Sequence, residues 1–193
     1  MNSKENSFNY IDASQSAEIY RQLTQGKVIL KQNYNELRNE LEENPLYTIL
    51  FKHWRHFSFL YQHIGYKLEF HDVGSFYYLR EVSDVGVDET DSNAFKIQVT
   101  LLLIGRYFSR TGRNLDLLFI PNAGFDEKDI EELKNDSEYS EILKTARFNK
   151  GWDEALEFLT KRNFAFRTSL TSYFISDAGK AFLEQLIEMY ESN

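Results

Sequence analysis

Few residues in this chain are placed to do chemistry. The histidines His53, His56 and His63 lie close together in sequence. On a helix, His56 and His63 would share a face but stand about 10.5 Å apart along the axis, too far for one metal ion. Only His53 and His56 can share an ion. No Asp or Glu lies between Pro45 and Gly65, and no HExxH pattern occurs. We therefore expect no metal and read these histidines as surface or interface groups. The chain has no cysteine, which excludes disulfides, thiolate zinc sites and thiol nucleophiles and suits a reducing cytoplasm. No GxSxG, P-loop or GxGxxG is present, so neither an enzyme nor a cofactor is expected.

Charge is the more informative property. The net charge is −8 over 193 residues, which argues against a uniformly cationic DNA binder but leaves room for local basic patches. Between residues 144 and 167 there are six bases and three acids. Lys144, Arg147, Lys150, Lys161, Arg162 and Arg167 are our first choice for contact with DNA phosphate. Asp153, Glu154 and Glu157 lie among them and would repel a major groove, so we expect backbone contact rather than base reading. Arg106, Arg110 and Arg113 are a second choice. Their alternative reading is a solvated helix end, where arginine complements the helix dipole. Residues 126–141 hold eight acids and two lysines, which is either a solvated face or a docking face for a basic partner. Finally, the run 45–64 carries Lys52 and Arg55 but no acid. It suits either DNA phosphate or a surface covered by a partner. Trp54 and Phe59 add apolar area beyond one helical stripe, which favours the interface.

These groups must be held by regular elements. Apolar residues make up 42% of the chain, enough for a sizeable core, and nine Gly and two Pro are few. Average usage would give roughly 23, so long helices and few loops are expected. The longest apolar runs, such as 101–104, have four residues, far short of the about 20 of a membrane span or the 7–15 of a signal peptide. The polar N-terminus, residues 1–7, is expected to fray.

We expect a helix over 14–24, a strand at 28–30 and a charged helix over 35–43. Asn44-Pro45 is an N-cap followed by a first-turn proline. It opens a helix to about residue 64, with Leu46, Leu50, Trp54, Phe57, Tyr61 and Ile64 in one stripe. A hairpin follows over 67–80. The segment 82–93 has four acids and no base and reads as a linker. Beyond it we expect a helix over 92–111, a buried strand at 115–120, and a helix capped by Asp126 with Asp129 three residues on. Helices over 139–146 and 151–162 come next, then a second hairpin (163–167 and 172–175, around the turn 168–171) and a closing helix from Ser176-Asp177. Helices followed by a hairpin, twice over, are the layout of tandem winged-helix domains (1–81 and 94–193). The fold class is therefore mainly α with small β-hairpin wings, α+β.

The stretch Tyr34-Asn35-Glu36-Leu37-Arg38-Asn39-Glu40-Leu41-Glu42-Glu43-Asn44-Pro45-Leu46-Tyr47, with Leu60-Tyr61-Gln62-His63-Ile64-Gly65-Tyr66 and Gly74-Ser75-Phe76-Tyr77-Tyr78-Leu79-Arg80-Glu81, resembles the MksE subunits of MksBEF, a bacterial condensin related to MukBEF. The run 152–175, followed by Ser176-Asp177-Ala178-Gly179, is similar to the end of the wider MukE family. The resemblance covers most of the chain from Gly26 onward, and its motifs are structural rather than chemical. It implies two winged-helix domains, a homodimer, and a non-enzymatic subunit that binds the kleisin of an SMC-type complex. That subunit works beside an SMC-like ATPase and on DNA, at the nucleoid, in chromosome organisation or plasmid defence. Within that frame, Glu131 and Glu132 are expected to border the kleisin surface. Trp54, Phe59, Phe76 and Tyr78 are expected at the dimer interface, because the first module carries more apolar surface than it can bury. A winged-helix transcription regulator is the second reading.

Overall fold

The computed structural model describes residues 11–82, 89–168 and 171–191. The expected N-terminal fraying, the middle of the acidic linker and the centre of the 168–171 turn lie outside the described residues. Among the described residues there are eight helices and three small antiparallel sheets, a mixed α+β architecture.

Helix α1 (Ala13–Thr24) starts where Asp12 Oδ1 accepts from the Ser14 and Gln15 amides. Strand β1 (Ile29–Leu30) follows. Next comes a hairpin of β2 (Gln32–Asn35) and β3 (Glu40–Glu43), paired from Gln32↔Glu43 to Asn35↔Glu40. This corrects the helix expected over 35–43. The asparagines decide it. Asn35 Oδ1 accepts from the Leu37 and Arg38 amides, an Asx turn, and Asn39 takes a left-handed φ of 55°. The Arg38–Glu42 pair, 3.0 Å, has helical spacing but closes across a turn.

Asn44 caps α2 (Pro45–Lys52), its Oδ1 accepting from Leu46 N, but the helix stops at His53 and restarts as α3 (Trp54–Gln62). A single helix over 45–64 would run about 30 Å. The six-residue strands it covers extend only about 20 Å. The break lets α2 reach β1 while α3 follows β4 (Tyr66–His71). Strand β5 (Phe76–Glu81) lies between β1 and β4 in the sheet.

Helix α4 (Glu89–Arg110) begins inside the segment expected as linker. Residues 115–120 are a 3-10 turn (Leu115–Phe119) and not a strand. Asn114 caps it, and Leu115, Leu117, Leu118 and Phe119 all pack inward, which alternating strand faces would not allow. Helices α5 (Glu127–Asn135), α6 (Ser137–Thr145) and α7 (Trp152–Lys161) lead to a hairpin of β6 (Ala165–Arg167) and β7 (Tyr173–Ile175), and α8 (Asp177–Glu191) closes the chain. Gly124 sits against the β6–β7 hairpin, where an added Cβ would lie 1.9 Å from Tyr173 O.

The three-stranded sheet separates two cores. Ile29 and Tyr77 face α1, α2 and α3, with Ile19, Leu50, Phe57 and Tyr61. Their neighbours Val28, Leu30 and Phe76 face the other way, into a larger cluster built from residues 97–183. The period of two along β1 and β5 thus serves both halves of the chain. Phe76 is 1% exposed and packs on Phe164 and Phe182, while Tyr78 is half-buried on the same cluster. This corrects the expectation that Phe76 lies at a dimer interface: the chain's own C-terminal half covers it. Hydrogen bonds reinforce the seam. Val28 N donates to Arg162 O at 3.2 Å, and Asn163 Nδ2 donates to Val28 O at 2.8 Å. The β2–β3 hairpin lies over the β6–β7 hairpin, with the Tyr34 ring 5.2 Å from Phe174.

Candidate functional site

Two sequence features expected to bind different partners meet each other. The arginines at and just beyond the end of α4 pair with the acidic α5–α6 segment: Arg106 with Glu138 at 2.8 Å, Arg110 with Asp136 at 2.9 Å, and Arg113 with Asp129 at 2.6 Å. Arg106 and Arg110 also flank the Tyr139 ring, and Arg113 lies 3.9 Å over Phe108.

At the centre of this clamp is Asp129, 8% exposed. It closes a capping box with Asp126, accepts from Arg113, and stands 2.9 Å from the Tyr107 hydroxyl. That hydroxyl is also 2.8 Å from Glu132. Burial, then the two facing carboxylates, push the Tyr107 hydroxyl well above its ordinary range. Asp136 is shifted the opposite way. The Tyr139 amide and then Arg110 hold its carboxyl below the usual value. The two residues expected at a kleisin surface are both exposed, and Glu132 also accepts from the Tyr107 hydroxyl and faces Lys128.

The first-choice cationic group splits in two. Lys144 pairs with Glu141 at 2.7 Å and Lys161 with Glu157 at 2.6 Å. Arg162 is half-buried, its guanidinium 3.7 Å over Phe158, and burial lowers its pKa. It offers phosphate little surface. Arg167 lies over Tyr173 on the β6–β7 hairpin. Arg147 and Lys150 are exposed at the loop before α7 and form no ion pair among the described residues. The α7 carboxylates are solvent-facing: the Asp153 side chain, 73% exposed, meets Lys134.

A third feature comes from the helix break at His53. The bend between α2 and α3 opens a groove of about 620 Å³ lined by Phe51, Trp54 and Phe59, with Lys52, Arg55 and the rings of His53 and His56. Phe51 is 67% and Phe59 63% exposed, whereas Trp54 rests on Tyr77. Burial, and then His53, lower the His56 pKa. Among the described residues no three His, Asp or Glu converge as a metal site. Sequence reading reached Trp54, Phe59, Lys52 and Arg55 but missed Phe51. Its signal was its place off the apolar stripe, where a single-core helix would carry a polar residue.

No helix among the described residues is long and apolar enough to cross a membrane. Among the described residues the chain presents charged and aromatic surfaces. In a comparison with protein families, a model described as condensin complex protein MksE matches residues 14–187. The chain is thus a condensin complex subunit, and it belongs to the MksE family. A search of curated proteins gives no match.

Proposed function

We propose that the chain is a non-enzymatic cytoplasmic subunit that binds the kleisin of its condensin and helps that complex, with its SMC-like ATPase, engage DNA at the nucleoid. The family match across residues 14–187 carries this reading. We read the chain as two winged-helix units, 1–81 and 94–193, whose wings are the β4–β5 and β6–β7 hairpins. The biological role is chromosome organisation or plasmid defence.

Charge supports a division of the surface. Arg147 and Lys150, exposed before α7, and Arg167 on the β6–β7 hairpin contact the DNA backbone. Lys144 and Lys161 join once phosphate competes for them. Glu131, free on the outer side of α5, borders the kleisin surface. The α2–α3 face, with Trp54 and Phe59, joins two copies in a homodimer. The transcription-regulator reading has the exposed α7 carboxylates against it, because they would meet DNA's own charge.

Tagged chain recovered from its source cell, with the co-purifying proteins identified by mass spectrometry, tests the proposal. A kleisin and an SMC-like ATPase are expected together; retention of a short operator DNA alone would establish the regulator instead. Glu131→Lys is expected to weaken kleisin binding, more so at low salt, since exposed charges are screened over about 8–10 Å near physiological ionic strength.

A further inference from the structure

We infer that the α2–α3 groove of one copy seats the tip of the β2–β3 hairpin of a second copy. This rests on the homodimer reading and names the contact that makes it. The groove presents exposed Phe51 and Phe59 beside Lys52 and Arg55, and no Asp or Glu occurs between Glu43 and Glu69. Its occupant must therefore be acidic with an apolar tip.

The hairpin has that chemistry. Residues 32–43 hold four glutamates against one arginine, and Leu37 at the turn is 99% exposed, the most exposed large apolar side chain among the described residues. Its turn is already ordered by the Asn35 Asx bonds, so little conformational freedom is lost when it docks. The hairpin of the same chain does not reach the groove. None of its residues lines it, and Tyr34 on Phe174 and Asn39 on Asn122 hold it against the C-terminal half. Groove and hairpin lie on one chain, so a two-fold axis places two hairpins in two grooves and closes the pair without unpaired ends.

The absence of cysteine makes the contact directly readable. Leu37→Cys and Phe59→Cys change exposed side chains and leave both cores intact. Mixing the two single-variant full-length proteins under mild oxidation is expected to give a 37–59 disulfide, necessarily between copies, faster than either variant links to itself. Leu37→Asp is expected to raise the dimer dissociation constant by about 100-fold or more, since both copies lose a seated leucine. If light scattering shows a dimer but the mixed link forms no faster than the symmetric ones, the hairpin contact is overturned and the homodimer stands. If the unmodified chain is a monomer at micromolar concentration, both are overturned.

Discussion

Truncating Arg106, Arg110 and Arg113 one at a time should separate a structural clamp from a nucleic-acid patch. Arg113 donates to Asp129 at 2.6 Å and to Gly124 O at 3.0 Å, and its side chain is 29% exposed against 12% for Asp129. Arg113→Ala removes both donors and leaves Asp129 depending on Tyr107 and its capping box. A hydrogen bond to a charged group is worth about 1.5–3 kcal/mol, and breaking a fully buried pair costs about 3–5 kcal/mol. Partial exposure of Arg113 brings the expected loss to about 2–4 kcal/mol. The Arg106–Glu138 side chains are 54% and 57% exposed, so Arg106→Ala should cost only about 0–1 kcal/mol. For a chain of this size each kcal/mol moves Tm by about 2–4 °C. Arg113→Ala should therefore melt about 5–15 °C lower and Arg106→Ala within about 4 °C of the parent, by calorimetry or circular dichroism. Equal shifts, or a larger one for Arg106, would refute the clamp and return the arginines to the surface as phosphate contacts.

Arg147→Glu with Lys150→Glu should leave Tm within about 1 °C, both being exposed, yet lower DNA binding by the assembled complex for all sequences alike; unchanged binding would place DNA elsewhere. Gly124→Ala should cost about 3 kcal/mol or more in denaturant unfolding, because its methyl would meet Tyr173 O and part the Phe125–Tyr173 bridge. Gly112→Ala, with open space but a φ of 71°, should cost only about 1–2 kcal/mol. Acid should loosen α4 from α6. The Asp136 carboxyl is depressed in the folded state, so its contribution is present above the unfolded value near 3.8 and is lost as pH falls through the folded one. Asp136→Asn should flatten the loss of stability as pH falls below the unfolded value near 3.8; an identical acid profile would exclude this group.

Local signals were legible in the chain. Asn44-Pro45 and Asp126 with Asp129 mark helix starts that the structure keeps, because caps act within four residues. The charged stretch 35–43 misled because Arg38 and Glu42 satisfy each other equally well along a helix or across a hairpin. Only the Asn35 and Asn39 turn chemistry distinguishes the two. Longer distances were the harder loss. Alternation along β5 separates Phe76 and Tyr78 from Tyr77, but it does not say which neighbour covers each face. Likewise, spacing alone does not show that Arg110 and Asp136, 26 positions apart, cancel each other. A surface charge count made from sequence therefore credited both as free.

The seam at Val28 also sets a timetable for synthesis. Its carbonyl partner, Asn163, is translated 135 positions later. At about 5–20 residues per second, that is an interval of about 7–27 s. Until it closes, Phe76 lacks its partners Phe164 and Phe182, and the face of the sheet that carries Val28, Leu30 and Phe76 is only partly covered. The ribosome thus carries a half-built protein with a sticky surface, which makes this interval the one in which a chaperone would be needed. Once Asn163 emerges, the same few groups that were the hazard become the latch.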